Sequence, residues 1–343
     1  MRAAVYHGRE DVRIEELPDP SPRAGEVVIE VARAGICGTD LHEYIAGPMH
    51  AAPGVVMGHE YSGTVVGVGP GVHEFTEGDR VCGVGVFGCG ECGSCKQGAE
   101  ALCGTVGFIG FALNGALARY ASVSAMALFR IPDDISLVEA AVVEPIASAY
   151  HAVRRSRLAA GETVFIAGAG AIGLALVQFC LAQGATQIIV SEVSASRRVA
   201  AHRVGATRVI DPLVEDPVEV VQTLTHGNGV DVSFDAAGVQ PALDAALSVL
   251  RPRGRLMVVA IWEAAAGIDI NRSIMREANI GFSFCYEAQS QVPAILTLLS
   301  VGALSLSELI TDEIPLDAVV SQGFEELRIN RDAHIKILID PSA

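Results

Sequence analysis

Residues 163–192, TVFIAGAGAIGLALVQFCLAQGATQIIVSE, read as a strand, a glycine turn, a helix and a second strand. The strands are expected at 164–167 and 188–191, where short apolar runs suit parallel strands buried on both faces. Between them Gly168, Gly170 and Gly173 stand in G-x-G-x-x-G. The three glycines allow a tight turn, close backbone approach to a pyrophosphate, and close packing of helix on strand, with the helix N-terminus facing the phosphates. Glu192 closes the second strand nineteen residues after Gly173, where a carboxylate can accept hydrogen bonds from an adenosine ribose. The stretch 163–191 has no charged residue over 29 positions, which passes a length test for a membrane span. Its three glycines and β-rich close favour a helix and strands packed in a sheet instead.

The whole chain has 343 residues, half of them apolar and 19% charged. That length suits about two domains, and the composition suits large cores rather than disorder. A net charge of −16 argues against a nucleic-acid partner, which needs a basic face to displace counterions, and against docking on anionic lipid. The opening MRAAVYHGREDVRIEE has no apolar segment of the signal-peptide kind, so a cytoplasmic location is expected. Eight cysteines in such a setting are expected to be metal ligands or buried thiols rather than disulfides.

From residue 1 to about 129 the pattern is of short strands and turns, with strands expected at 27–31, 61–68 and 80–84. A long apolar helix is expected over 137–152. After Glu192 a helix at 196–204 leads to strands at 208–210, 230–234 and 256–261, and the alternation of strand and helix means a doubly wound parallel sheet. One more strand, at the sheet edge, is expected at 280–286, and 292–299 and 334–339 return to the first domain. The expected fold is therefore α/β: an antiparallel, β-rich, barrel-like domain (1–149 and 288–343) with a dinucleotide-binding domain (150–287) inserted in it.

Two constellations can hold metal. Cys89, Cys92, Cys95 and Cys103 stand in C-x2-C-x2-C-x7-C on a glycine-rich loop. Four thiolates close a tetrahedral shell around zinc and leave no open position, so a structural site is expected; an iron–sulfur cluster is the main rival. Cys37, His59, Glu60 and Glu144 are scattered. One sulfur, one imidazole and one or two carboxylates suit a zinc that keeps a position open, although each residue alone is commoner as ordinary core.

Taken together, GICGTDLH (35–42), GHEYSG (58–63), the four-cysteine loop, EPIASAYHAV (144–153) and GAGAIG (168–173) resemble the medium-chain zinc-dependent alcohol and polyol dehydrogenases over essentially the whole chain. The resemblance implies a Rossmann domain for the insert and two zinc ions per subunit, one structural and one catalytic. It places the catalytic zinc at Cys37, His59 and a carboxylate, with Glu60, or Glu144 directly or through water, left open. It also implies a proton relay from substrate through Thr39 and the cofactor ribose to His42. For the cofactor it implies NAD held by Gly168, Gly170, Ile172, Gly173, Glu192 and Arg197. The carboxylate of Glu192 would repel the extra phosphate of NADP, against which the pair Arg197–Arg198 could hold one; Arg198 can equally be a solvated residue of a first helical turn. Glutamate at 144 points to the polyol, butanediol and threonine branch. The short spacing from His42 to His59 and the Cys285–Tyr286 pair favour a small secondary alcohol or vicinal diol, with Tyr44 and Phe108 as candidate walls or ordinary core. A homodimer paired through 280–286, or a homotetramer, is expected.

Overall fold

The computed structural model describes residues 1–343 as two units. One comprises Met1–Ala147, Tyr286–Gly302 and Ile310–Ala343; the other comprises Ser148–Cys285 and Ala303–Leu309.

In the second unit six strands form one parallel sheet in the spatial order Arg208–Ile210, Gln187–Ser191, Thr163–Ala167, Val230–Asp235, Leu250–Val258 and Asn279–Phe282. Numbered along this unit the order is 3-2-1-4-5-6, the doubly wound dinucleotide-binding order, whose switch point lies between the first and fourth strands. The uncharged run that could be mistaken for a membrane span is strand Thr163–Ala167, helix Ala171–Ala182 and strand Gln187–Ser191. No helix of the chain is long and apolar enough to cross a membrane. Phe165, Ile189, Ile210, Val221, Leu243, Leu247 and Leu256 pack into one buried core, each such side chain contributing about 1.5–3 kcal/mol on leaving water. Two strands differ from expectation. The fifth begins at Leu250, opposite Val230 across a register shift, and ends at Val258, because the amides of Val259 and Ala260 both turn to the carbonyl of Asp235. The sixth stops at Phe282 rather than 286; Cys285 lies at φ +48°, in the left-handed region that breaks an extended run.

In the first unit the long strand Glu26–Gly35 is central. It pairs antiparallel with Glu60–Val68, with Tyr120–Ser124 and, at its end, with Lys336–Asp340. Lys336–Asp340 in turn pairs parallel with Ile310–Pro315. Val27, Val28, Ile29 and Val31 of Glu26–Gly35 are all buried, and two register shifts against Glu60–Val68 bend the pair. The consequence is local: the end of the chain is laid beside Gly35 and Ile36, with Ile36 N–H donating to the Ile337 carbonyl at 3.1 Å. The helix expected over 137–152 is two helices, Leu137–Ala140, capped by Ser136 and Glu139, and Val143–Ser156.

His334 ties this chain end down. Its Nδ1 lies 2.6 Å from Asp312 Oδ2 and its Nε2 lies 3.2 Å from Glu326 Oε1. Burial disfavours the charged ring, but the two carboxylates outweigh burial and hold its pKa above the ordinary value of 6.5. A raised folded-state pKa means that the stabilisation is complete below the unfolded value and is lost as pH rises through the folded one. The melting temperature of wild type should therefore fall more steeply above pH 6.5 than that of His334→Gln; parallel profiles for the two proteins would show that the bridge carries no pH-dependent stability.

Candidate active site

Helix Gly38–Ala46 and the start of strand Glu60–Val68 bring the sulfur of Cys37, the ring of His59 and the carboxylate of Glu60 together, with one ligand atom of each within 4.8 Å of the others. Cys37 is the N-cap residue of the helix, and its own N–H donates to Asp40 Oδ2 at 2.9 Å. This bond fixes the turn that aims the sulfur. His59, Glu60 and Asp40 are all buried. Gly35 and Gly85 leave the space: a Cβ on Gly35 would overlap Glu60 Oε2, and one on Gly85 would stand 2.9 Å from His59 Cβ.

Several polar atoms in this cluster have no protein partner. His59 Nδ1, Glu60 Oε2 and Asp40 Oδ1 make no hydrogen bond, although His59 Nδ1 and Asp40 Oδ1 approach to 3.6 Å. A buried polar atom left unpaired costs about 1–3 kcal/mol, and more when charged. One thiolate, one imidazole and one carboxylate converging on a common point are the donor set of a zinc that keeps a position open. The residues fit the ion.

The fourth expected residue is held apart from that trio. Glu144, at the start of Val143–Ser156, is buried and its Oε1 accepts a 2.6 Å hydrogen bond from the hydroxyl of Tyr286. Burial pushes its pKa up, an effect that Glu60 reinforces and His59 opposes. Glu60 Oε1, for its part, accepts a 2.7 Å bond from Lys336 Nζ, which also donates to the Ile36 carbonyl at 3.1 Å. Lys336 is itself buried, and burial disfavours its charge, yet Glu60 and Cys37 keep it protonated. Sequence reasoning missed Asp40, Lys336 and Tyr286; only for Asp40, three residues after Cys37, is there a local signal.

Thr39 and His42 lie three residues apart on the same helix, half-buried, with Thr39 Oγ1 3.7 Å from Cys37 Sγ. The two candidate wall residues part company. Tyr44 is core: it stacks on Phe324 at 5.0 Å and donates to Glu325 at 2.7 Å. Burial, then that carboxylate, pushes its phenol up to about 12. Phe108 stays beside the cluster, its ring 6.1 Å from that of His59 and 4.3 Å from that of Phe111.

The four-cysteine loop is a second cluster, with all four sulfurs within 4.8 Å of one another. Cys92 lies 3.5 Å from Cys95 and 3.8 Å from Cys103, and Cys89 lies 3.9 Å from Cys95. Disulfides need about 2.05 Å. A tetrahedron with zinc–sulfur bonds of about 2.3 Å has edges of about 3.8 Å, so the loop is already shaped for zinc. The Thr105 hydroxyl and neighbouring loop N–H groups pull the Cys103 thiol down to about 6, which favours the ligating thiolate.

In the other unit the glycine turn has the conformation its motif requires. Gly168 lies at φ +96°, and a Cβ there would meet the Ala236 carbonyl group at 3.1 Å. A Cβ on Gly173 would collide with the Gly168 carbonyl, while the same position on Gly170 faces open space. Ile172 belongs to the first turn of helix Ala171–Ala182, capped by Gly170. Glu192 is buried, and its carboxylate accepts from Ala169 N–H at 2.6 Å and Ser194 N–H at 2.8 Å. Arg197 closes the first turn of helix Ala195–Arg203, its N–H donating to the capping Ser194 hydroxyl. Arg198 is not a merely solvated residue. It donates to the carbonyls of Glu192 and Val193 at 3.0 and 2.6 Å and pairs with Asp211 at 2.9 Å.

Comparison with known proteins agrees with this geometry. Residues 23–133 match the alcohol dehydrogenase GroES-like domain and residues 171–300 match the zinc-binding dehydrogenase domain. The (R,R)-butanediol dehydrogenase of Bacillus subtilis (strain 168) is 38% identical over the full length of both chains. The crystal structure of 2R,3R-butanediol dehydrogenase from Bacillus subtilis, 37% identical, superposes with a TM-score of 0.92 over 99% of each chain. A zinc-binding dehydrogenase from Sinorhizobium meliloti 1021, solved with NADP, is 28% identical with a TM-score of 0.90 over 99% of each chain. The chain belongs to the medium-chain zinc-dependent alcohol and polyol dehydrogenases: it is an enzyme of that family, with zinc and a nicotinamide dinucleotide as its cofactors.

Proposed function

We propose that the chain oxidises a small secondary alcohol or vicinal diol of the 2,3-butanediol kind to the ketone, reversibly, with NAD as hydride acceptor. The observation that carries this reading is the convergence of one ligand atom each of Cys37, His59 and Glu60 to within 4.8 Å, a set of three that leaves a coordination shell unfilled. Likeness to butanediol dehydrogenases over the whole chain supports the substrate class. Zinc bound there supplies a Lewis acid that lowers the pKa of a hydroxyl on its open position, and the nicotinamide takes the hydride.

The remaining work falls to side chains. Thr39, beside Cys37, takes up the hydroxyl proton as it releases its own, and His42, on the same helix, is the base that finally accepts the proton and passes it to solvent. Phe108 and Phe111 form an apolar wall against His59, suited to methyl-bearing alcohols rather than to a long polyol. Gly168, Gly170, Ile172 and Gly173 cradle the pyrophosphate, and Arg197 serves the adenosine end. Glu192 supports NAD over NADP. Its buried carboxylate stands where the adenosine ribose belongs, and Asp211 already engages the neighbouring Arg198. Zinc in the four-cysteine loop is structural and the loop takes no part in turnover.

We also infer that two copies pair through the sheet edge. Strand Asn279–Phe282 ends the parallel sheet with one side unpaired, and Ile274, Met275, Phe282 and Phe284 nearby in sequence are 67, 79, 64 and 54% exposed. An open edge carrying large apolar side chains is covered when its copy adds antiparallel across a two-fold axis.

Two experiments test these readings. Absorbance of reduced nicotinamide should rise with NAD and one butanediol stereoisomer, and far less with NADP, sorbitol or threonine, and a zinc chelator should abolish the rise. A folded, zinc-loaded protein that reduces NAD only with sorbitol or threonine would overturn the substrate assignment. Sedimentation velocity should find wild type at least dimeric and Phe282→Glu shifted toward monomer; a monomeric wild type would refute edge pairing.

A further inference from the structure

Tyr286 is the residue whose surroundings the zinc-site reading leaves unexplained. Its ring is buried, 2% exposed, and its hydroxyl makes three contacts. Gly85 N–H donates to it at 3.0 Å and Val86 N–H at 3.2 Å, while Glu144 Oε1 lies 2.6 Å away. A phenol has one proton and two lone pairs. Two fixed backbone donors point at the lone pairs, so the single proton is directed to Glu144, which must accept.

The backbone that holds the hydroxyl also bounds the metal cluster. Gly85 packs so closely on His59 that a Cβ would stand 2.9 Å from His59 Cβ. The clamp and the imidazole therefore share one support. Two buried carboxylates lie near the cluster, and each has one oxygen tied down: Glu60 Oε1 by Lys336 and Glu144 Oε1 by Tyr286. Their other oxygens differ. Glu60 belongs to the converging trio and its Oε2 has no partner, whereas Glu144 lies outside that trio.

We propose that Tyr286 is a positioning residue: through the clamp from Gly85 and Val86 it holds Glu144 out of the coordination shell, leaving Glu60 as the carboxylate of the trio and the last metal position open for substrate. The assignment rests on the zinc site proposed at Cys37, His59 and Glu60. Releasing the clamp should let the second carboxylate in. In Tyr286→Phe the ring still fills its cavity, but Glu144 loses its donor and is free to turn to the metal.

The test uses the full-length protein with cobalt(II) exchanged into the Cys37 site. Wild type should show the intense visible bands of a four-coordinate ion. Tyr286→Phe should show weaker bands of higher coordination, zinc release to a chelator slowed by about tenfold or more, and a lower kcat. Adding Glu144→Gln to Tyr286→Phe should restore the wild-type spectrum and release rate, because the amide is a poor ligand. A folded Tyr286→Phe with wild-type bands and release would overturn the proposal, as would an effect that persists in the double variant, since Tyr286 would then not act through Glu144. Glu144→Gln alone, which keeps an acceptor for Tyr286, gives a check that does not depend on the folding of the tyrosine variant. It should leave the cobalt bands unchanged, and altered bands would make Glu144 a ligand and refute the clamp. Absence of cobalt bands in wild type would instead overturn the zinc-site reading beneath it.

Discussion

The first unit is organised around a group of charges that water cannot reach. Asp40, His59, Glu60, Glu144 and Lys336 are buried beside the half-buried Cys37, and only Lys336 supplies a permanent positive charge there. Removing charges from water costs several kcal/mol each unless they are paired. One ammonium cannot compensate this many acids: Glu60 Oε2 has no partner, and Asp40 Oδ1 faces only the His59 ring at 3.6 Å. A divalent cation held by Cys37, His59 and Glu60, as proposed, would ease that imbalance and supply the chemistry of the family. The fold serves this constraint by laying Lys336–Asp340 against the end of Glu26–Gly35, which carries the ammonium to Ile36 and Glu60.

The second unit meets a milder demand with backbone groups. Its glycine turn exposes N–H groups that must find acceptors, and Glu192 already takes the Ala169 N–H. The same carboxylate receives Ser194 N–H and so sets the entry to helix Ala195–Arg203. Glu192 thus organises the turn besides the ribose contact proposed for it, and its replacement would disturb the turn. Arg198, tied to Asp211, is withheld from the role of a phosphate ligand.

Local patterns carried most of the fold. The alternation of apolar strand and helix after residue 163, with three glycines at fixed spacing, leaves few alternatives to a doubly wound sheet, and the cysteine spacing of the loop is equally informative. What stayed hidden depends on contacts distant in sequence. Lys336 lies 300 residues from Ile36 and 276 from Glu60, and nothing around it distinguishes it from a surface lysine. Tyr286 reads as the end of an edge strand because IGFSFCY is mostly apolar. The left-handed turn at Cys285 and the hydrogen bonds at Gly85 and Val86 instead place its hydroxyl on Glu144. Between pocket wall and core, local sequence does not decide for Tyr44; Glu325 and Phe324, from the far end of the chain, hold it in the core.

The central claim is that Cys37, His59 and Glu60 hold a zinc ion distinct from that of the cysteine loop. Native mass spectrometry of the purified chain and of Cys37→Ser tests it most directly. Two zinc ions per wild-type chain and one in a folded Cys37→Ser are expected, the remaining ion being that of Cys89, Cys92, Cys95 and Cys103. One zinc in both proteins would contradict the account.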